Sequence, residues 1–229
     1  MNIRQLKKEI FEHLSTPDLQ EHLASLGAFP PKKAVNPLFS FLYHTEPMIK
    51  WHAISAMGHV VAGLADRDLE SARIIMRRMI WNLNDESGGI GWGSPEAMGE
   101  SMACHKRIAE EYHRILVSYI RTDGNFLEHP ELQKGLLWGL SRLASVRPEL
   151  AKDAGPFLLP FFESGHAEHR GLAALTAGLI QEPSALPALQ SLSGDKAEIK
   201  LYWKMEFRQM PVEKLVGNAL KTIGSDQPG

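Results

Sequence analysis

Apolar residues recur along this chain every three or four positions, which is the spacing of one face of an α-helix. The first such stripe consists of Ile3, Leu6, Ile10 and Leu14. Thr16 and Pro17 then form a helix start, because proline suits the first helical position and threonine the cap before it. Gly27 can end this second helix. The strand pattern of alternating apolar and polar residues is nearly absent up to residue 192, so the chain is predicted to be all-α to that point.

From residue 31 the predicted helices come in pairs joined by short polar connections. The pairs are 31–43 with 47–64, 69–83 with 95–102, 107–120 with 130–143, and 156–162 with 167–180. Residues 183–192 open a last, irregular unit. Neither helix of such a pair can bury its apolar face alone, so neighbouring pairs are expected to stack into one continuous core.

The pairs repeat along the sequence. Each second helix carries a glycine, at intervals of about 40 residues: Gly58, Gly99, Gly139 and Gly178. In the first two units a leucine, a tryptophan and this glycine keep identical spacing: Leu42, Trp51 and Gly58, then Leu83, Trp92 and Gly99. A period near 40 residues built from two helices is typical of a solenoid.

These residues resemble the HEAT-repeat family, in particular its short bacterial form. The pattern is carried by residues 37–42 of one helix and 50–58 of the next, with Lys50 and Arg170 where HEAT repeats often have a basic residue. The second unit departs from it, with Gly91 at the basic position. The resemblance covers roughly residues 30–192. It implies a right-handed αα-superhelix of the armadillo-like kind, with about four to five helical pairs, and says almost nothing about function.

A single solenoid domain is therefore expected over residues 1–229. Its parts are predicted as N-terminal capping helices (1–29), repeats (30–192), a C-terminal cap (193–222) and a disordered tail (223–229). In the cap, 198–202 and 205–208 alternate apolar with polar residues, which predicts a small hairpin turning at Trp203-Lys204. Helix remains an alternative there, and a last helix is predicted over 212–220.

Composition sets several classes aside. Lys and Arg total 25 against 27 Asp and Glu, a net charge of -2, which is not the basic balance of a typical nucleic-acid binder, although a local basic groove stays open. The single cysteine, Cys104, cannot form an intramolecular disulfide or a cysteine-based zinc site and fits a reducing cytoplasm. The start has no secretory signal pattern, and the longest apolar stretch, 53–65, is too short to span a membrane.

Residues 84–93 form the most unusual segment, because glycine occupies 88, 89, 91 and 93. A ligand-binding loop is one interpretation: Asp85 and Glu86 would supply charge, and Trp92 a flat apolar wall. The alternative is a helix end with left-handed turns, followed by Ser94 as the cap of the next helix. A phosphate-binding P-loop is excluded, because the glycine spacing differs and no lysine follows.

Glu96 and Glu100 are four residues apart and share a helical face. The repeat alignment gives Ser55 and His59 the equivalent positions one unit earlier, and His52 lies on that face too. In HEAT solenoids the second helices line the concave surface, so the resemblance places Glu96, Glu100 and His59 together there. Neighbouring carboxylates would suit acid/base or metal chemistry, but a solvated helix face is the favoured interpretation.

Arginines cluster in two places. Arg107, Arg114 and Arg121 recur every seven residues, and an earlier helix carries Arg73, Arg77 and Arg78. One interpretation is a basic stripe that binds the phosphates of a nucleic-acid backbone. The HEAT-like alkylpurine DNA glycosylases have this chain length, and they use tryptophans with an aspartate in a concave cleft. Acidic residues interrupt both faces: Asp68, Glu70, Glu110 and Glu111. An ordinary salt-bridged helix surface is therefore favoured.

No complete catalytic or metal motif is present. The HEAT-like deoxyhypusine hydroxylases carry His-Glu pairs as iron ligands, whereas this chain has only the reverse order, as in Glu12-His13, and no H-E-x-x-H. No nucleophile elbow occurs. Neither a metal, a cofactor nor a catalytic residue is predicted.

The leading hypothesis is a cytoplasmic, non-enzymatic HEAT-like protein that binds a protein or peptide partner through its concave face. The candidate binding residues are Trp51, His52, His59, Asp85, Glu86, Trp92, Glu96 and Glu100. The alternatives are a DNA glycosylase-type enzyme that binds nucleic acid, centred on Trp51, Asp85, Trp92 and Glu100, and a protein that binds a small ligand at the 84–93 loop.

Overall fold

The computed structural model of the chain describes residues 2–84 and 91–225. The chain divides into two compact units, Met1–Tyr112 and His113–Gly229. Both are built from helices joined by short loops.

The first unit contains six complete helices and the start of a seventh. They are α1 (Ile3–Leu14), α2 (Leu23–Ala28, after a 3₁₀ turn at Gln20–His22), α3 (Pro31–Phe41), α4 (Pro47–Ala65), α5 (Leu69–Asn84), α6 (Ser94–Cys104) and α7 (Lys106–Ser118). Prolines Pro31 and Pro47 occupy the first helical positions of α3 and α4, where a missing N–H costs nothing and the fixed φ favours the helix. The predicted pairs 31–43 with 47–64 and 69–83 with 95–102 are confirmed within a few residues.

Helix α4 is the centre of the first unit, in contact with α3, α5 and α6. Every residue from His52 to Gly58 is buried, so α4 has no wide solvent face over two turns. At Gly58 an added Cβ would lie 2.5 Å from Cγ of Glu100 on α6. Glycine is therefore required at this point of closest approach between α4 and α6.

The second unit begins within α7 and contains the remaining helices and one hairpin. Its further elements are α8 (Pro130–Ala144), α9 (Pro148–Ala151), a 3₁₀ helix (Lys152–Leu158), α10 (Leu159–Phe162), α11 (Ala167–Ile180), a 3₁₀ turn (Pro183–Ala185), α12 (Leu186–Ser191), β1 (Glu198–Trp203), β2 (Glu206–Pro211) and α13 (Val212–Gly224). The helix predicted over 156–162 is helical throughout but divided into two types. Pro156 lies inside the 3₁₀ helix, and one α-helical turn, α10, follows it.

The predicted C-terminal hairpin is present and antiparallel, with Trp203 opposite Glu206. The turn lies at Lys204-Met205, one residue later than predicted. Both residues have positive φ, 54° and 63°, as the central pair of a type I′ turn requires. The hairpin is tied to α8, because the Trp138 indole N–H donates to the Tyr202 carbonyl at 2.7 Å.

Helix α13 packs on α11 much as α6 packs on α4. A Cβ at Gly178 would lie 2.8 Å from Cα of Ala219, so the repeat glycine again permits a close helix contact. The helix continues to Gly224 with Ile223 buried, two residues into the segment predicted as a disordered tail. Residues 226–229 lie outside the described part of the chain.

The described helices and the two-stranded hairpin confirm the predicted class, an all-α helical-repeat fold with a small C-terminal hairpin. Over residues 2–84 and 91–225, none of the helices has both the length and the apolarity needed to cross a membrane.

Candidate functional site

Glu96 lies in the first turn of α6 and is 2% exposed. Its Oε1 atom is 3.0 Å from Nζ of Lys50, near the start of α4. Its Oε2 atom is buried without a hydrogen-bond partner among the described residues. Lys50 therefore places a compensating positive charge directly beside a buried carboxylate.

Lys50 also contacts the half-buried Trp51, with Nζ 5.7 Å from the centroid of the Trp51 ring. This distance lies within the range of a cation–π interaction. The basic residue predicted from the HEAT resemblance thus lies between a buried carboxylate and an aromatic ring. Of these three residues, the half-buried Trp51 presents the large apolar surface.

Glu100 is also buried, at 6% exposure, and lies against Gly58. The Cys104 thiol lies 3.4 Å from its Oε1 atom and donates to it. The favoured interpretation of Glu96 and Glu100 as a solvated face is wrong, because the close approach of α6 to α4 removes both carboxylates from water.

The two candidate histidines of α4 differ in environment. His52 is 2% exposed, and its Nδ1 atom donates to the Leu14 carbonyl at 2.9 Å, which ties the end of α1 to α4. Burial lowers the pKa of His52, partly offset by this hydrogen bond. His59 is exposed and its ring lies near Gly27. The structure therefore does not place His52 and His59 on one accessible face.

Trp92 precedes α6 and is half-buried. Gly93 caps the helix with φ of 75°, and a Cβ there would lie 2.5 Å from the Leu42 carbonyl oxygen. Ser94 is therefore the first helical residue and not the cap that the sequence predicts, because only glycine fits the capping position. Asp85 and Glu86 lie outside the described residues.

A cavity of about 250 Å³ opens where α3 and α5 end and α6 begins. It is lined by Asn36, Phe39, Ser40, Leu42, Tyr43, Arg78, Asn82, Gly91, Trp92 and Ser94. Trp92 was predicted near a binding site and Arg78 only as part of a basic cluster, whereas no sequence signal indicated Asn36 or Asn82. Arg78 and Asn82 are four residues apart on α5, whereas Asn36 lies on α3, and only the packing of α3 beside α5 brings Asn36 to the other two.

Most of the predicted basic cluster on α5 is neutralised. Arg73 is held between Glu111 and Glu70, with Nε 2.7 Å from Oε2 of Glu111, and Arg77 also pairs with Glu70. Hydrogen bonds from these guanidinium groups lower the pKa of both carboxyls. In the second unit Arg121 pairs with Asp123 at 2.8 Å. The pairs on α5 form the salt-bridged helix surface that the interrupted charge pattern favours, whereas Arg121 lies beyond α7, which ends at Ser118.

In the described ranges, 2–84 and 91–225, no three His, Cys, Asp or Glu side chains are grouped so that they could hold a metal ion.

Comparison with known sequences identifies no function for the chain. No protein-family model matches the chain. An uncharacterized protein of the archaeon Archaeoglobus fulgidus is 29% identical over 120 residues, which is 52% of this chain and 56% of that protein. The match thus spans just over half the length of the relative, and the bacterial type suggested by the resemblance stays a prediction.

Solved structures resemble the whole chain. An engineered protein matches with a TM-score of 0.57 and 17% identity, covering 98% of both chains. A designed armadillo repeat protein, solved in complex with the peptide (KR)4, matches with a TM-score of 0.54 and 17% identity, covering 94% of this chain and 98% of that one. At such low identity the likeness concerns the fold. The chain therefore has the helical-repeat fold of the HEAT and armadillo-like proteins.

Proposed function

We propose that the protein is a non-catalytic repeat module that binds a protein or peptide partner through the second helices of its repeats. The observation that carries this proposal is the arrangement at the start of α4. There the half-buried Trp51 has the ammonium group of Lys50 close to its ring, and the buried Glu96 holds that ammonium in place.

Trp51 suits a binding contact for energetic reasons. Tryptophan presents a large, rigid, amphipathic surface at low entropic cost and is enriched among residues that dominate binding energy. The 3.0 Å contact from Lys50 to Glu96 restrains the lysine before any partner arrives, which reduces the ordering cost of association. Because Glu96 balances the charge of Lys50, this surface suits an apolar or aromatic segment better than a phosphodiester backbone.

The remaining candidate residues divide by burial. We propose that Trp51, His59 and Trp92 contact the partner, and that Asp85 and Glu86, which lie outside the described residues, belong to the same site. The buried His52, Glu96 and Glu100 would instead hold α4 and α6 in position under it. The designed armadillo protein supports a partner of this kind, because it was solved in complex with a peptide. A cytoplasmic location is part of the proposal, since a lone cysteine suits a reducing compartment.

The test is a selection of peptides from a displayed random library on the full chain, followed by affinity measurements on variants. Trp51→Ala is compared with Trp81→Ala, a matched control, because Trp81 is 73% exposed and lies on the first helix of its pair, α5. Selected peptides should bind Trp51→Ala at least tenfold more weakly and Trp81→Ala within twofold of the unchanged protein. Thermal melting of each variant separates lost binding from lost folding.

Two outcomes contradict the proposal. If Trp81→Ala abolishes binding while Trp51→Ala does not, the partner binds the first helices. If the unchanged chain selects no peptide above an unrelated helical protein, peptide recognition is not its function.

A further inference from the structure

The cavity at the start of α6 has an unusual polar composition. Its polar side-chain groups are the guanidinium of Arg78, the amides of Asn36 and Asn82, the hydroxyls of Ser40, Tyr43 and Ser94, and the indole N–H of Trp92. All of them can donate hydrogen bonds. None of the described lining residues is acidic. A volume of about 250 Å³ accommodates a small polar group with a few attached atoms.

Ser94 contributes a buried hydroxyl group to the cavity. The residue is 1% exposed and lines the cavity, and its Oγ atom has no hydrogen-bond partner among the described residues. Such a group loses its hydration without compensation, at a cost of about 1–3 kcal/mol. An acceptor atom entering the inner end of the cavity would remove that cost.

Ser94 is also the first residue of the 11-residue helix α6. A helix N-terminus carries partial positive charge and favours anions. The amides of Ser94 and Ala97 already donate to the carbonyls of Gly91 and Gly93, each at 3.0 Å. The start of α6 therefore attracts an anion mainly through the Ser94 hydroxyl and the partial positive charge of the helix, and less through free backbone amides.

Arg78 differs from the neighbouring arginines of α5. Arg73 and Arg77 are neutralised by carboxylates, whereas the described partners of Arg78 are both neutral. Its guanidinium stacks on Phe39 at 4.0 Å and donates to Oδ1 of Asn36. These contacts hold the guanidinium plane at the cavity wall and leave most of its five N–H groups for another acceptor.

We propose that this cavity is a binding site for an oxyanion group, a carboxylate or a phosphate, on a small molecule. Arg78 supplies the charge, Ser94 at the start of α6 supplies a hydrogen bond, and Tyr43 and Trp92 form walls for the attached atoms. The buried Glu96 does not cancel this site, because Lys50 compensates its charge at 3.0 Å. The cavity shares Trp92 with the proposed peptide surface, but Arg78 and Ser94, which carry the anion proposal, are not part of that surface.

The test is titration of the full chain with inorganic phosphate and, separately, with acetate, at constant ionic strength. The variants are Arg78→Gln, Ser94→Ala and, as a matched control, Arg77→Gln. Arg77 is the neighbour of Arg78 in sequence, but its side chain does not line the cavity. Arg77→Gln therefore removes the same charge without changing the cavity wall. A hydrogen bond to a charged group is worth enough for a tenfold change in affinity. Arg78→Gln and Ser94→Ala should each weaken binding about tenfold, and Arg77→Gln less than twofold.

The two probes distinguish the sources of the anion. Tighter binding of phosphate assigns the site to phosphoryl compounds, and tighter binding of acetate assigns it to carboxylates. The proposal is overturned if neither ion binds, if Arg77→Gln weakens binding as much as Arg78→Gln, or if Ser94→Ala leaves affinity unchanged. Ser94→Ala should fold normally, because it removes an unpaired buried hydroxyl, and its melting temperature checks this directly.

Discussion

Gly58 on α4 and Glu100 on α6 lie so close that a Cβ added to the glycine would come within 2.5 Å of Cγ of the glutamate. Gly178 on α11 has the same relationship to Ala219 on α13, at 2.8 Å from its Cα atom. In both units a glycine of the sequence repeat thus lies where the second helix of a pair closely approaches another helix. Gly58 and Gly178 are therefore positions of close helix packing.

Gly58→Ala should therefore destabilise the protein by about 1–3 kcal/mol, because the new methyl group must displace a buried side chain in a filled core. Gly63→Ala is the matched control on the same helix. There the nearest atom would be an Arg67 side-chain nitrogen at 3.7 Å, an ordinary contact. This change should stabilise by about 0.5–1 kcal/mol through helix propensity. Urea unfolding measures both, and equal effects of the two changes would contradict the packing role.

The paired helices could be predicted because their signals are local. The 3.6-residue period and starts such as Pro31 and Pro47 are read from neighbouring residues. The burial of Glu96 and Glu100 could not be predicted, because it depends on how closely α6 approaches α4. The cavity around Arg78 was missed for the same reason, since it forms only where α3, α5 and α6 meet.

The Lys50–Glu96 contact should be worth more than a surface ion pair, because Glu96 is 3% and Lys50 21% exposed in their side chains. Glu96→Gln leaves the half-buried Lys50 ammonium with a weaker, uncharged partner. This change should lower the free energy of unfolding by about 1–3 kcal/mol. A double-mutant cycle with Lys50→Met measures the coupling. A coupling energy below about 0.5 kcal/mol would match an exposed pair and contradict this assignment.

Acid should destabilise the protein through its buried histidines. Burial lowers the pKa of His52 and His169 below the ordinary value of 6.5. The unfolded chain then binds protons before the folded chain does, so stability is complete above about pH 6.5 and falls as the pH drops below it. Melting temperatures between pH 8 and pH 5 measure the slope, and His52→Gln should reduce it.

Carboxyl groups affect stability only at lower pH. Carboxyls with a lowered pKa, such as Asp195 beside Arg170, lose their contribution to stability only as the pH falls through the acidic range of carboxyl groups. A slope between pH 8 and pH 5 that His52→Gln leaves unchanged would contradict the role of burial.

The hairpin turn stores strain that a single substitution should relieve. Lys204 and Met205 both have positive φ, which is unfavourable for residues other than glycine, asparagine or aspartate. Met205→Gly should stabilise the chain by about 0.5–1 kcal/mol, since glycine adopts this conformation without steric cost. Met210→Gly is the control within β2, where glycine only weakens a strand. Urea unfolding should give opposite signs for the two changes. A loss of stability in both variants would mean that the hairpin tolerates the Met205 conformation without strain.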